Sequence, residues 1–172
     1  MDRLTRVVNQ LLTLARVEPR LGQRPTTLVD LGEVVTDVLA DLTPWILDRG
    51  LEPSLDISEG DHGLMIDAGA LGIALQNLVS NAVEHSPPGG RITVSLRRLA
   101  NRFELVVEDE GPGLDEANLV RVFERFYSRN SPNGAGLGLS IVATIVERLG
   151  GQVRLENRAI GGLAAIVSLP LQ

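Results

Sequence analysis

The stretch VEDEGPGLDEANLVRVFERFYSRNSPNGAGLGLS, residues 107–140, gathers glycines into two tight groups with an aromatic and arginine cluster between them. It opens on the end of an alternating run, RFELVVEDE, that reads as a strand. Asp109 follows that strand, with Gly111 and Gly113 two and four residues beyond and Pro112 stiffening the turn. Glycine permits positive φ and close approach of the backbone to a flat ligand, and a buried carboxylate accepts a hydrogen bond from an exocyclic amine such as that of a purine. Taken alone, the same residues also describe an ordinary strand-ending turn. At the far end, GAGLGLS sets Gly134, Gly136 and Gly138 before an apolar helix, where bare amides and the positive end of the helix dipole make an anion site. The spacing is not the Rossmann Gly-x-Gly-x-x-Gly, and no Gly-Lys-Ser/Thr follows as in a Walker loop.

Upstream, a helix is expected from about Asp67 to His85. Leu71, Leu75, Leu78, Val79 and Ala82 form its apolar side, while Asn77, Asn81 and Glu84, flanked by Ser80 and His85, form a polar strip. Asparagine is a mediocre helix former, so the pair needs a reason. Either the amides face solvent or cap a neighbouring loop, or their oxygens help hold a hydrated magnesium ion bridging phosphates. A second helix starts at Asp30, a candidate N-cap, and stops at Gly50, with Pro44 inside as a candidate kink. LEPSLDI and GLMID read as a hairpin closed by SEGDH. RITVSLRRL and RFELVVEDE read as a hairpin turning at Ala100–Asn101, and QVRLENR and GGLAAIVSLP as a closing strand pair after a helix that stops at Gly150–Gly151. The sum is an α+β, two-layer sandwich: one mixed sheet with helices on one face.

With 172 residues, 44% of them hydrophobic, the chain supports one full core plus an appendage. The appendage is DRLTRVVNQLLTLAR, where Leu4, Val7, Val8, Leu11, Leu12, Leu14 and Ala15 make an apolar stripe, followed by a linker with a boundary near Pro19–Pro25. A net charge of −6 argues against nucleic acid as a partner, and the lack of cysteine excludes a disulfide scaffold. Apolar runs fall short of a membrane span, so this chain is expected to be soluble.

NLVSNA with Asn77 and Asn81, DEGPG at 109–113, VFERFY at 122–127 and GAGLGLS at 134–140 resemble, in order, the N, G1, F and G2 boxes of sensor histidine kinases. The opening MDRLTRVVNQLLTLARVEP is similar to the second helix of that family's dimerisation and phosphoacceptor hairpin, which divides the chain into residues 1–19 and a catalytic ATP-binding domain at 20–172. The resemblance implies the Bergerat-type sandwich shared with gyrase, Hsp90 and mismatch-repair ATPases, with Mg2+ and ATP bound under a lid at roughly Tyr127–Ala135. It implies a magnesium contact for Asn81, a supporting place near the phosphates for Asn77, and the adenine amine for Asp109. Gly111 and Gly113 would shape the purine pocket; Gly134, Gly136 and Gly138, with Leu137 and Leu139 between and beside them, would turn the lid and helix around the triphosphate. Phe123 and Phe126 would anchor the lid base, Arg125 would approach the γ-phosphate, and His85 would stack near the nucleotide. The implied partners are a phosphoacceptor hairpin, a response-regulator receiver domain and a second copy of the parent protein, which the family places in the cytoplasm below an inner-membrane anchor.

Three departures qualify the resemblance. Glu84 stands where the family often has lysine or arginine, so that cation is sought in Arg125 or Arg129. Leu163–Ala165 lacks the threonine that supports the adenine-binding carboxylate, leaving that place to water. Neither His62, expected in a turn, nor His85 has the His-Glu-x-x-x-Pro setting of the phosphoacceptor, so ATP binding without self-phosphorylation is expected. Two rival readings use the same pocket: a gyrase- or Hsp90-type ATPase clamp, whose glutamate base stands where this chain has Asn77, and a nucleotide-sensing or anti-sigma module.

Overall fold

The computed structural model describes residue 8 and residues 26–123 and 138–171. Val8 is helical and exposed; the rest of the appendage and the expected lid lie outside the described residues.

Strand β1 (Thr27–Asp30) runs directly into helix α1 (Leu31–Asp48). Asp30 caps that helix: its Oδ1 accepts from the Gly32 N–H at 2.7 Å and the Glu33 N–H at 3.4 Å, satisfying two otherwise orphaned donors. Gly50, at φ +72°, ends it as expected. Strands β2 (Glu52–Ile57) and β3 (Gly63–Ile66) precede helix α2 (Ala68–His85), which Asp67 caps through the Ala70 N–H at 3.1 Å. Then come β4 (Arg91–Arg98), β5 (Arg102–Glu108), the single turn α3 (Asn118–Arg121), helix α4 (Gly138–Arg148), β6 (Gln152–Asn157) and β7 (Leu163–Pro170).

Five strands form one mixed sheet in the order β2-β4-β5-β7-β6, with β2 parallel to β4 and every other pair antiparallel. Strict alternation in β4 and β5 turns Ile92, Val94, Leu96, Phe103, Leu105 and Val107 into the core and leaves the residues between them half-buried or exposed. Helices α1, α2 and α4 cover the apolar face, α2 packing on both its helical neighbours. Their buried stripes, such as Leu71, Leu75, Leu78 and Val79 on α2 and Ile141, Val142, Ile145 and Val146 on α4, complete a two-layer core.

The expected β2–β3 hairpin does not form. β2 pairs in parallel with β4, and β3 pairs antiparallel with β1 in a separate two-stranded sheet, with Leu28 opposite Met65. β1 carries no alternating apolar signal in sequence because its four residues are largely exposed. Pro53 fits the outcome: β2 is an edge strand, where a missing N–H costs no ladder bond on the open side. His62 lies in the β2–β3 connection, but as a buried residue, with its ring 6.1 Å from that of Phe103 and its carbonyl accepting from the Leu31 N–H at 3.0 Å.

Candidate functional site

Asp109 leaves β5 at the point where β7 begins and is 3% exposed. Its N–H donates to the Leu163 carbonyl at 3.0 Å, and its carboxylate Oδ1 accepts from the Gly111 N–H at 2.9 Å and the Leu163 N–H at 3.1 Å. A buried carboxylate requires such donors. The place expected to lack a polar partner for want of a threonine is therefore served by the backbone amide of Leu163, not left to water alone.

The loop that follows is held from several sides. A side chain on Gly111 would collide with the His85 carbonyl, so this glycine lets the turn pack directly on the last turn of α2. Gly113 sits at φ +73°, in the left-handed region. The Glu110 Oε1 accepts from the Arg91 N–H at 2.6 Å, tying the loop to the start of β4. The contact at His85 brings the glycine turn and the polar strip of α2 together. On that strip Asn77, Asn81, Ser80, Glu84 and His85 are all half-buried, an intermediate exposure that matches neither a solvated face nor a core. Asn77 Nδ2 donates to the Ile73 carbonyl at 2.8 Å, which anchors the amide to its own helix and leaves its oxygen as an acceptor. Helix α4 opens at Gly138, packs on α2, and buries Leu139 and Ser140. Phe123 is partly buried against the core.

The structure sets the turn of Asp109, Gly111 and Gly113 against the end of α2 through Gly111 and the His85 carbonyl; Asn81 and Asn77 lie about one and two turns back along the same helix, and Gly138 and Leu139 belong to the helix packed on it. Arg125, Arg129, Phe126, Gly134, Gly136 and Leu137 lie outside the described residues. Among the described residues no three His, Cys, Asp or Glu side chains converge as a metal site; the asparagine amides on α2 offer hard oxygens. A buried carboxylate suits an exocyclic amine, the glycines beside it let the loop pack against the His85 carbonyl and Asn157 where a side chain would collide, and amide oxygens suit a cation that keeps several waters.

Three residues of the site were missed by sequence reading. Asn157, at the end of β6, accepts from the Leu114 N–H through Oδ1 at 2.8 Å and donates to the Leu114 carbonyl through Nδ2 at 2.6 Å. Arg158 Nη1 donates to the Asp109 carbonyl at 2.6 Å. Gly162, at φ +99°, has no room for a side chain against that same carbonyl. The Gly161–Gly162 pair was the available signal; the asparagine and arginine carry none until β6 is placed.

Comparison with known proteins adds to this geometry. Residues 66–172 match the family described as histidine kinase-, DNA gyrase B- and HSP90-like ATPase. The chain is 34% identical over 177 residues to the swarming motility regulation sensor protein RssA of Serratia marcescens, covering 99% of this chain and 37% of RssA. It is 40% identical over 129 residues to the signal transduction histidine-protein kinase/phosphatase MprB of Mycolicibacterium vanbaalenii, covering 68% of this chain and 27% of MprB. Full-length ShkA, solved in complex with AMPPNP, superimposes with a TM-score of 0.81 at 28% identity, over 98% of this chain and 36% of that one. The chain spans little more than a third, or less, of the curated relatives it matches.

Proposed function

The chain belongs to the histidine kinase-, DNA gyrase B- and HSP90-like ATPase family, as the ATP-binding catalytic domain of a sensor histidine kinase, and from that premise we propose that it presents magnesium-bound ATP for γ-phosphoryl transfer to a histidine on a phosphoacceptor hairpin. The observation that carries the reading is the buried Asp109 carboxylate, oriented by the Gly111 and Leu163 amides beside the polar strip of α2.

In this reading Asp109 takes the exocyclic amine of adenine, and Gly111 and Gly113 form the wall of the base pocket. Asn81 would supply an amide oxygen to Mg2+, and Asn77, its nitrogen engaged by the Ile73 carbonyl, would offer its oxygen near the phosphates. His85, closing α2 beside Gly111, flanks the nucleotide. Magnesium, when bound, offsets charge on the phosphate oxygens. Gly138 and Leu139 lie in the first described turn of α4, and Gly134, Gly136 and Leu137 are the candidate backbone amides that would meet the triphosphate with that helix's dipole. Arg125 neutralises charge developing on the transferring group, and Phe123 and Phe126 seat the segment that covers it. Asn77 has no carboxylate to activate water, so transfer to a histidine is favoured over steady hydrolysis.

The same reading divides the chain into a hairpin helix at 1–19 and the catalytic domain at 20–172. It assigns the whole protein a homodimeric, membrane-anchored sensor with this part in the cytoplasm and a response-regulator receiver domain downstream. Among the described residues no helix is long and apolar enough to cross a membrane. Buried His62 supports the absence of self-phosphorylation.

Incubating the chain with γ-labelled ATP, magnesium and a separately supplied hairpin carrying the phosphoacceptor tests the proposal. Label is expected on the hairpin histidine alone; covalent label on His62 or His85, or rapid release of free phosphate with an unlabelled hairpin, contradicts it.

A further inference from the structure

The Asp-Glu-Gly-Pro-Gly loop is anchored at both ends by two consecutive side chains of a different element. Arg158 holds its first residue through the Asp109 carbonyl at 2.6 Å. Asn157 holds the residue just past its last glycine through a two-point bond to Leu114, 2.8 Å to the N–H and 2.6 Å to the carbonyl, across 43 residues of sequence. The carboxamide of Asn157 thereby acts as a strand partner for a segment that is not a strand. Both anchors sit at the corner between β6 and β7, which is itself closed by the Arg158 N–H to the Gly162 carbonyl at 2.9 Å and the Gly161 N–H to the Arg158 carbonyl at 3.1 Å. Gly162 completes the corner by lying flat against the Asp109 backbone, and its neighbour Leu163 supplies the amide that orients the carboxylate.

We infer that Asn157 and Arg158 are positioning residues for base recognition: they bracket the loop so that the Asp109 carboxylate meets the adenine edge at a fixed height and angle. The inference rests on the reading of Asp109 as the base-binding carboxylate. Neither side chain needs to touch the nucleotide. Each removes a degree of freedom from a loop whose glycines would otherwise let it adopt many conformations, and a misplacement of about 1 Å at such a site is enough to degrade recognition. Arg158 also lies 3.9 Å from Glu108 Oε1, so its guanidinium is steered by the residue preceding Asp109.

The distinguishing readout is selectivity. A carboxylate at the purine edge accepts from the adenine amine but opposes the guanine carbonyl, so the ratio of affinities for AMPPNP and GMPPNP reports how well Asp109 is placed. Calorimetry on the full chain is expected to show a clear preference for AMPPNP. In Asn157→Ala, and in Asn157→Asp, which keeps the acceptor but sets a carboxylate against the Leu114 carbonyl, AMPPNP affinity is expected to fall about five- to tenfold, the factor expected where one or two hydrogen bonds cease to hold the site, with a smaller loss for GMPPNP. Should Asn157→Ala not fold, Arg158→Gln, which releases the Asp109 carbonyl and the Glu108 contact but leaves Asn157 on Leu114, carries the same expectation. A purely structural role would lower Tm and leave the ratio intact. Asp109→Asn in parallel separates the two claims. If it collapses the preference while folded Asn157 and Arg158 variants keep the wild-type ratio, the bracket is wrong and the pocket stands. If it too leaves the ratio unchanged, the pocket reading fails and the bracket falls with it.

Discussion

A carboxylate that is 3% exposed gains its orientation from what surrounds it, and Asp109 is surrounded by backbone. Hydrogen bonds to a charged group are worth roughly 1.5–3 kcal/mol each, so Asp109→Asn, which replaces an acceptor with a donor, is expected to weaken binding of an ATP analogue at least tenfold by titration. Gly113→Ala tests a second contact: at φ +73° a Cβ is strained by roughly 1–2 kcal/mol, and it would also sit 2.6 Å from Asn157 Oδ1. Combining it with Asn157→Ala removes the collision but not the strain, so denaturant unfolding of the four proteins is expected to show a coupling of about 0.5–3 kcal/mol; strictly additive losses contradict the contact. Asp109, Gly111 and Gly113 were legible in the sequence because their spacing is local. Asn157 and Arg158 were not, since an asparagine ending a strand looks like any polar edge residue until the register of β6 on β7 sets it beside Leu114.

Helix α2 shows why one element can serve both packing and binding. Eight of its residues, from Ala70 to Val83, are buried against the sheet and neighbouring helices, while Asn77, Asn81 and His85 stay half-buried on its polar strip. The two faces are separable by mutation. Leu75→Ala is expected to cost about 2–5 kcal/mol of stability, read as a lowered Tm, with the magnesium dependence of binding unchanged where the variant is folded. Asn81→Asp is expected to do the reverse, keeping Tm near wild type while shifting the magnesium concentration required for nucleotide binding. Helix starts were readable from Asp30 and Asp67 because capping is a contact over two or three residues. Strand partners were not. SEGDH has the length and polarity of a hairpin turn, yet β2 finds its partner in β4 beyond all of α2, and β3 returns to β1. Local sequence specifies that a segment is extended; which neighbour it joins depends on the helix that must fit between.

At the scale of the molecule, the sheet order β2-β4-β5-β7-β6 brings the ends of β5 and β6 and the corner leading into β7 to one side of α2, and that convergence creates the site. The α+β sandwich was readable from the order of helical and alternating runs, and the kinase family from four ordered motifs. The corner that braces the first glycine turn was readable only from the folded chain. In the proposed reading the chain contributes positioning and charge stabilisation, and the accepting imidazole comes from a hairpin. The central claim is therefore about where the nucleotide sits, and a crystal of the chain soaked with AMPPNP and magnesium tests it most directly. The account predicts the adenine amine within hydrogen-bonding distance of the Asp109 carboxylate and the metal on the Asn81 amide oxygen; nucleotide bound elsewhere, or side chains filling the space beside Asp109, would contradict it.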